Sequence, residues 1–247
     1  MSERRMPGPL ARRSFLSRMG AGAAAFGAAL GAGSWAQAQS ASNSTAAAGP
    51  WKPVRHPEDD WYDQPAAKHR FFLDTTSPEA FAQALLFARN FYRGNANGYG
   101  LADADVAQII CARHRSTVFA FNDAMWAKYG ATLSERANGF VDPKTKQAPT
   151  INVYMAAGSG PAAGAGEEPA GGAPLEGLLK RGVRLAVCSL ATRGAATAIA
   201  QKSGAKVDDV FKELTEHLVP NGRMVPAGIV AVSRAQEHGY TFSYVTG

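Results

Sequence analysis

Cysteine is scarce: only Cys111 and Cys188 occur in 247 residues. Two thiols exclude a disulfide-stapled scaffold. Cys111 with the nearby His114 falls short of the paired ligands that a structural zinc site needs. Other signatures are missing too. No Gly-x-Gly-x-x-Gly follows the first apolar run and no Gly-Lys-Ser/Thr loop occurs, which argues against dinucleotide binding and nucleotide hydrolysis. No Gly-x-Ser-x-Gly elbow is present, which disfavours an esterase. No motif calls for a cofactor or a metal.

The charge excess is also thinner than it looks. The chain carries 26 Lys and Arg against 20 Asp and Glu. Five of the basic residues (Arg4, Arg5, Arg12, Arg13, Arg18) and one acid (Glu3) precede residue 39, so the remainder carries only +2. A clustered basic face for nucleic acid is therefore not expected. Ala11-Arg12-Arg13-Ser14-Phe15-Leu16-Ser17 resembles a twin-arginine export motif. A Gly/Ala-rich run from Met19 to Gly33 and the A-x-A site Ala36-Gln37-Ala38 follow it. The run is too weakly apolar for a membrane span of about 20 residues. We therefore expect a signal peptide at 1–38, a periplasmic or otherwise exported mature chain, and no stable membrane insertion of that chain. The compartment would be oxidising. A twin-arginine route, however, carries proteins already folded in a reducing cytoplasm, so the fold should not depend on a disulfide.

Residues 39–66 are small, polar and Pro-containing, and read as a flexible extension in which Trp51, Trp61 and Tyr62 stand out as residues able to dock. Regular structure begins with a strand at His69–Asp74, followed by Ser77 as N-cap, Pro78 as first helical residue and a helix ending near Gly94. Val106–Ala112 reads as a second strand, apolar almost throughout, and Thr117–Tyr129 as a helix stopped by Gly130. The stretch 156–174 is nearly all Gly, Ala, Ser and Pro, an insertion that is either a flap or a passive linker. A short helix at 175–182 feeds a strand ending at Cys188. Further helices are expected from Arg193 or Gly194 to Gly204 and from Asp208 to Leu218, and strands at 225–232 and 240–245. Strand and helix alternate, so the economical fold for 67–247 is a three-layer α/β/α sandwich around a mostly parallel five-stranded sheet.

The chemistry concentrates at Arg184–Gly194. An apolar strand ends at Cys188, and an Arg193-Gly194 pair opens a helical pattern. At the carboxyl edge of an α/β sheet, a helix N-terminus offers N–H groups to an anion. The helix dipole and Arg193 would both favour thiolate over thiol. Position alone leaves open an inert buried cysteine. Cys111 ends its own strand in the same way, and Arg113-His114-Arg115 follows it as a basic cluster at the shared edge, or as a solvated loop.

Val187-Cys188 with Ala191, Arg193 and Gly194 resembles the cysteine region of the DsrE/DsrF-like family of sulfur-relay proteins, over the chain from about His69 onward. The resemblance implies a DsrE-like fold and a homo-oligomer, a trimer or larger ring. It also implies sulfane sulfur carried as a persulfide on Cys188 between a donor and an acceptor, either proteins or small sulfur compounds. In that role Arg193 and Gly194 would stabilise the thiolate or a bound anion, with Arg113 and His114 in support. Two other readings stay open: a non-catalytic oligomeric module that binds a small ligand, and a Cys111/Cys188 redox pair. The redox pair requires the two strands to be neighbours.

Overall fold

The computed structural model describes residues 51–64, 66–155 and 174–247. The expected signal at 1–38, the first part of the 39–66 extension and nearly all of the 156–174 insertion lie outside the described residues. Pro53–Gly247 is one compact unit.

β1 (His69–Thr75) leads into Ser77, whose hydroxyl accepts the Ala80 N–H at 3.1 Å, and Pro78 opens α1 (Pro78–Tyr99). The helix runs past Gly94, where a stop was expected, to Gly100. An internal glycine costs only about 1 kcal/mol. Gly100, at φ +65°, supplies the left-handed cap instead, its N–H reaching the Ala96 carbonyl at 3.0 Å. A 3-10 turn, Asp103–Asp105, then enters β2 (Val106–Ala112).

The helix expected over Thr117–Tyr129 is split into a 3-10 helix, His114–Ala120, and α2 (Asp123–Arg136). Tertiary pairing wins here over helical periodicity. Phe121 bridges Leu218, the Asn122 N–H reaches the His217 carbonyl at 2.9 Å and Ala120 accepts the Val219 N–H at 2.9 Å. Asn122 then caps α2 through the Met125 N–H. Gly130 lies inside α2 rather than ending it.

After α3 (Leu175–Lys180) come β3 (Arg184–Cys188), α4 (Ser189–Ser203), α5 (Val207–Glu216), β4 (Gly222–Val225), α6 (Gly228–Glu237) and β5 (Thr241–Tyr244). The strand expected over 225–232 is therefore mostly helix. Pro226 ends β4, and Gly228, Ala231, Val232 and Ala235 form the buried stripe of α6.

All five strands are parallel, in the order β4-β3-β2-β1-β5, with helices on both faces. This is the expected three-layer α/β/α fold. β2 lies at the centre and all seven of its residues are buried. Side-chain alternation sends Leu73, Ile110, Leu185 and Val187 to the face covered by α1 through α5. Phe72, Ile109, Cys111 and Ala186 go to the other face, where the cover is α6 plus Trp61 and Tyr62 from a 3-10 helix, Pro57–Asp63. The folded unit thus reaches upstream of residue 67. The last part of the 39–66 stretch is packed rather than loose, because Trp61 and Tyr62 fill apolar space that α6 leaves uncovered. Trp51 is exposed.

Arg181, just beyond α3, holds Asp103 through two hydrogen bonds of 2.7 Å each, and this ion pair keeps the Asp103 carboxyl below the usual aspartate range. A depressed carboxylate pKa adds stability above the unfolded value, and that stability is lost as pH falls through the folded value. Asp103→Asn should therefore be less stable than the parent chain at neutral pH. The gap should close as pH drops below about 4. Urea melts between pH 3 and 7 check this, and an unchanging gap would refute it.

Candidate functional site

Five strand ends meet at the carboxyl edge of the sheet, and those of β1, β2, β3 and β4 bring the reactive groups together. Cys188 closes β3, opposite Val225 of β4, and is itself the N-cap of α4. The helix therefore starts at Ser189, four residues before the expected Arg193. The Cys188 sulfur accepts the Ala191 N–H at 3.4 Å, and its carbonyl accepts the Thr192 hydroxyl at 3.0 Å. Sulfur occupies the place where a capping oxygen usually sits, in the positive field of the first turn. At 7% exposure Cys188 is enclosed but not sealed.

Arg193 does not join it. Residue 193 lies five positions past the cap, about 140° round the helix. Its guanidinium pairs with Asp208 at 2.6 Å and lies 5.1 Å from the Phe211 ring centre, which ties α4 to α5. In the structure the expected thiolate-stabilising Arg193 is engaged with α5 and makes no hydrogen bond to the thiol. Gly194 lies against the Arg136 side chain of α2, one guanidinium nitrogen falling 3.0 Å from where a Cβ would sit. The donor that does reach the thiol is the backbone N–H of Ala191 in α4.

Arg113 is also committed. It donates to both oxygens of Asp74, at 2.7 and 2.8 Å, and Asp74 is 1% exposed. That hydrogen bonding raises the already high guanidinium pKa. Arg113 also packs on Gly228, where a Cβ would come within 2.5 Å of the Arg113 Cβ. His114 is exposed, with φ +58° and its Nδ1 3.4 Å from the Thr76 carbonyl. It faces solvent above β1 rather than either thiol.

Cys111 pairs across the sheet with Asp74 and with Ala186, and its thiol donates to the Gly228 carbonyl at 3.7 Å. It is fully buried. That burial, reinforced by Asp74, pushes the thiol well above its ordinary value, so Cys111 stays protonated. The condition set for a redox pair is met in part, since β2 and β3 are neighbours. Because Cys111 opposes Ala186, Cys188 sits two residues further along. About 6.6 Å of rise and about 4.8 Å between strands put the Cα atoms about 8 Å apart, beyond the roughly 7 Å that a disulfide spans. Both thiols are free.

Asp74, Gly228 and the Thr75/Ser116 pair escaped the sequence reading. The Thr75 hydroxyl lies 2.7 Å from the Cys111 carbonyl and 2.9 Å from the Ser116 hydroxyl, which fastens the ends of β1 and β2. A carboxylate following the apolar run Phe71-Phe72-Leu73 was the available signal for Asp74. Leu190 and Ile229, in the first turns of α4 and α6, are 70% and 62% exposed, and Val230 is exposed beside Ile229. Their helices leave from the adjacent strands β3 and β4 and pack on opposite faces of the sheet.

Among the described residues no group of three or more His, Cys, Asp or Glu is placed to hold a metal ion, and no helix is long and apolar enough to cross a membrane. Comparison with protein families, curated proteins and solved structures found no match.

Proposed function

We propose that the chain is an exported sulfur carrier that holds sulfane sulfur as a persulfide on Cys188. The observation that carries this reading is the Ala191 N–H directed at the Cys188 sulfur at the start of α4. That N–H would stay in place to donate to the sulfur as it attacks. The cysteine-region resemblance to sulfur-relay proteins supports it.

In the forward step the Cys188 thiol loses its proton to solvent. The thiolate attacks the outer sulfur of thiosulfate or of a donor persulfide. The donor S–S bond breaks, and its electron pair leaves with sulfite or the donor thiolate. An acceptor thiolate then attacks the terminal sulfur and returns Cys188 to the thiolate. Export and ring-like self-assembly belong to the same proposal and rest on the twin-arginine-like motif and the family resemblance.

Intact-mass spectrometry after exposure to thiosulfate or polysulfide tests the carrier role. A gain of one sulfur is expected, reversed by reductant, lost in Cys188→Ser and kept in Cys111→Ser. The 7% exposure of Cys188 favours one competing reading, a non-catalytic small-ligand module. If both thiols stay unmodified, that reading takes precedence.

A further inference from the structure

The face of the sheet opposite α1–α5 has an unusual cover. α6 is ten residues long and about 10 Å across, whereas five strands at about 4.8 Å spacing span roughly 19 Å. Trp61 and Tyr62 complete the cover, packed with Cys111, Ala186, Val225 and Ala231. Among the described residues, no backbone–backbone hydrogen bond joins 57–63 to the rest of the fold.

The attachments are side-chain clamps directed from the domain onto an acidic segment. Arg184 donates to the Trp61 carbonyl and lies 5.2 Å from that ring's centre, and Tyr240 donates to the Tyr62 carbonyl at 2.7 Å. Arg223 donates to the Glu58 carbonyl at 3.2 Å, and Arg234 lies 3.5 Å from Asp59. Asp63 takes Arg70 at 2.8 Å and His238 at 2.9 Å. A cleft of about 240 Å³ already runs along the seam with α6, lined by Glu58, Asp59, Tyr62, Pro226, Val230 and Arg234.

We propose that Pro57–Asp63 is a releasable strap that controls access to Cys111. Docked, its aromatic pair seals the thiol. Released, it widens the seam against α6 and opens the thiol and an arginine-lined apolar groove to solvent, while the β-ladder stays whole. A segment held without ladder bonds opens by local rather than global unfolding. The device is independent of the carrier role of Cys188.

Thiol alkylation of the full chain tests it, with peptide mapping to resolve Cys111 from Cys188 and with global unfolding followed by circular dichroism at the same urea concentrations. Cys111 should label through an opening at least tenfold more frequent than global unfolding, with a shallower urea dependence and a rate that rises with sodium chloride as the arginine clamps are screened. Asp63→Asn should speed labelling of Cys111 by roughly two- to fivefold and leave Cys188 unchanged. If Cys111 labels only at the global unfolding rate, with the global urea slope, the strap is a fixed part of the core and the proposal fails.

Discussion

Arg113→Met should lower the stability of the domain by about 3–5 kcal/mol, the cost of leaving a buried carboxylate without its partner. Asp74 is almost wholly enclosed, with Arg113 on both of its oxygens and the Cys111 thiol beside it. Methionine keeps much of the alkyl packing against Gly228 but offers no donor, so the loss isolates the charge. The control is Arg113→Met combined with Asp74→Leu. Removing both charges should recover most of the loss, because a paired ion buried at such a site contributes little over apolar packing. Urea denaturation reads both variants. A single-variant loss under about 1 kcal/mol would show that water reaches Asp74 and that the edge around the thiols is loosely packed.

Gly130→Ala should also be strongly destabilising, and in the direction opposite to its neighbours by type. Alanine inside a helix normally gains about 0.5–1 kcal/mol over glycine. Gly94 and Gly98 in α1 have nothing within 4 Å of where a methyl group would sit, so Gly94→Ala and Gly98→Ala should each be stabilising by about that amount. At Gly130 the same methyl would sit 2.1 Å from the Pro149 carbonyl oxygen. Backbone faces backbone there, so no flexible side chain can yield. Overpacking of this kind costs about 1–3 kcal/mol or more and should outweigh the helical gain. Thermal melts of the three variants decide it. A stable Gly130→Ala protein would mean that the 149–155 segment moves freely on α2.

Much of the architecture was legible because it is written locally. Ser77-Pro78 and the apolar run of β2 carry their own instructions, and Cys188 was placed correctly at a strand end. What failed depended on distant partners. The split before α2 is dictated by residues 217–219, nearly a hundred positions away in sequence. The docking of Trp61 depends on Arg184 and Arg223, neither of which signals that role nearby. Arg193 was assigned to the thiol by proximity in sequence, while helical geometry turned it toward Asp208 and Phe211. In α6 the buried residues 228, 231, 232 and 235 recur at helical spacing, and Pro226 marks the break, so that correction was available from the chain.

The strand order carries a consequence for how the chain comes together. β1 is flanked by β2 on one side and by β5 on the other, and Phe71 pairs with Thr241. The Tyr240 contact that secures Tyr62 closes a loop of 178 residues. Closing such distant ends exacts its entropy before any contact rewards it, and such topologies assemble late and slowly. During synthesis, β1 through β4 can collect on the nascent chain with one flank of β1 bare. Only the final stretch zips that flank shut and fixes the aromatic pair. Completion of the fold therefore reports that the last strand has been made.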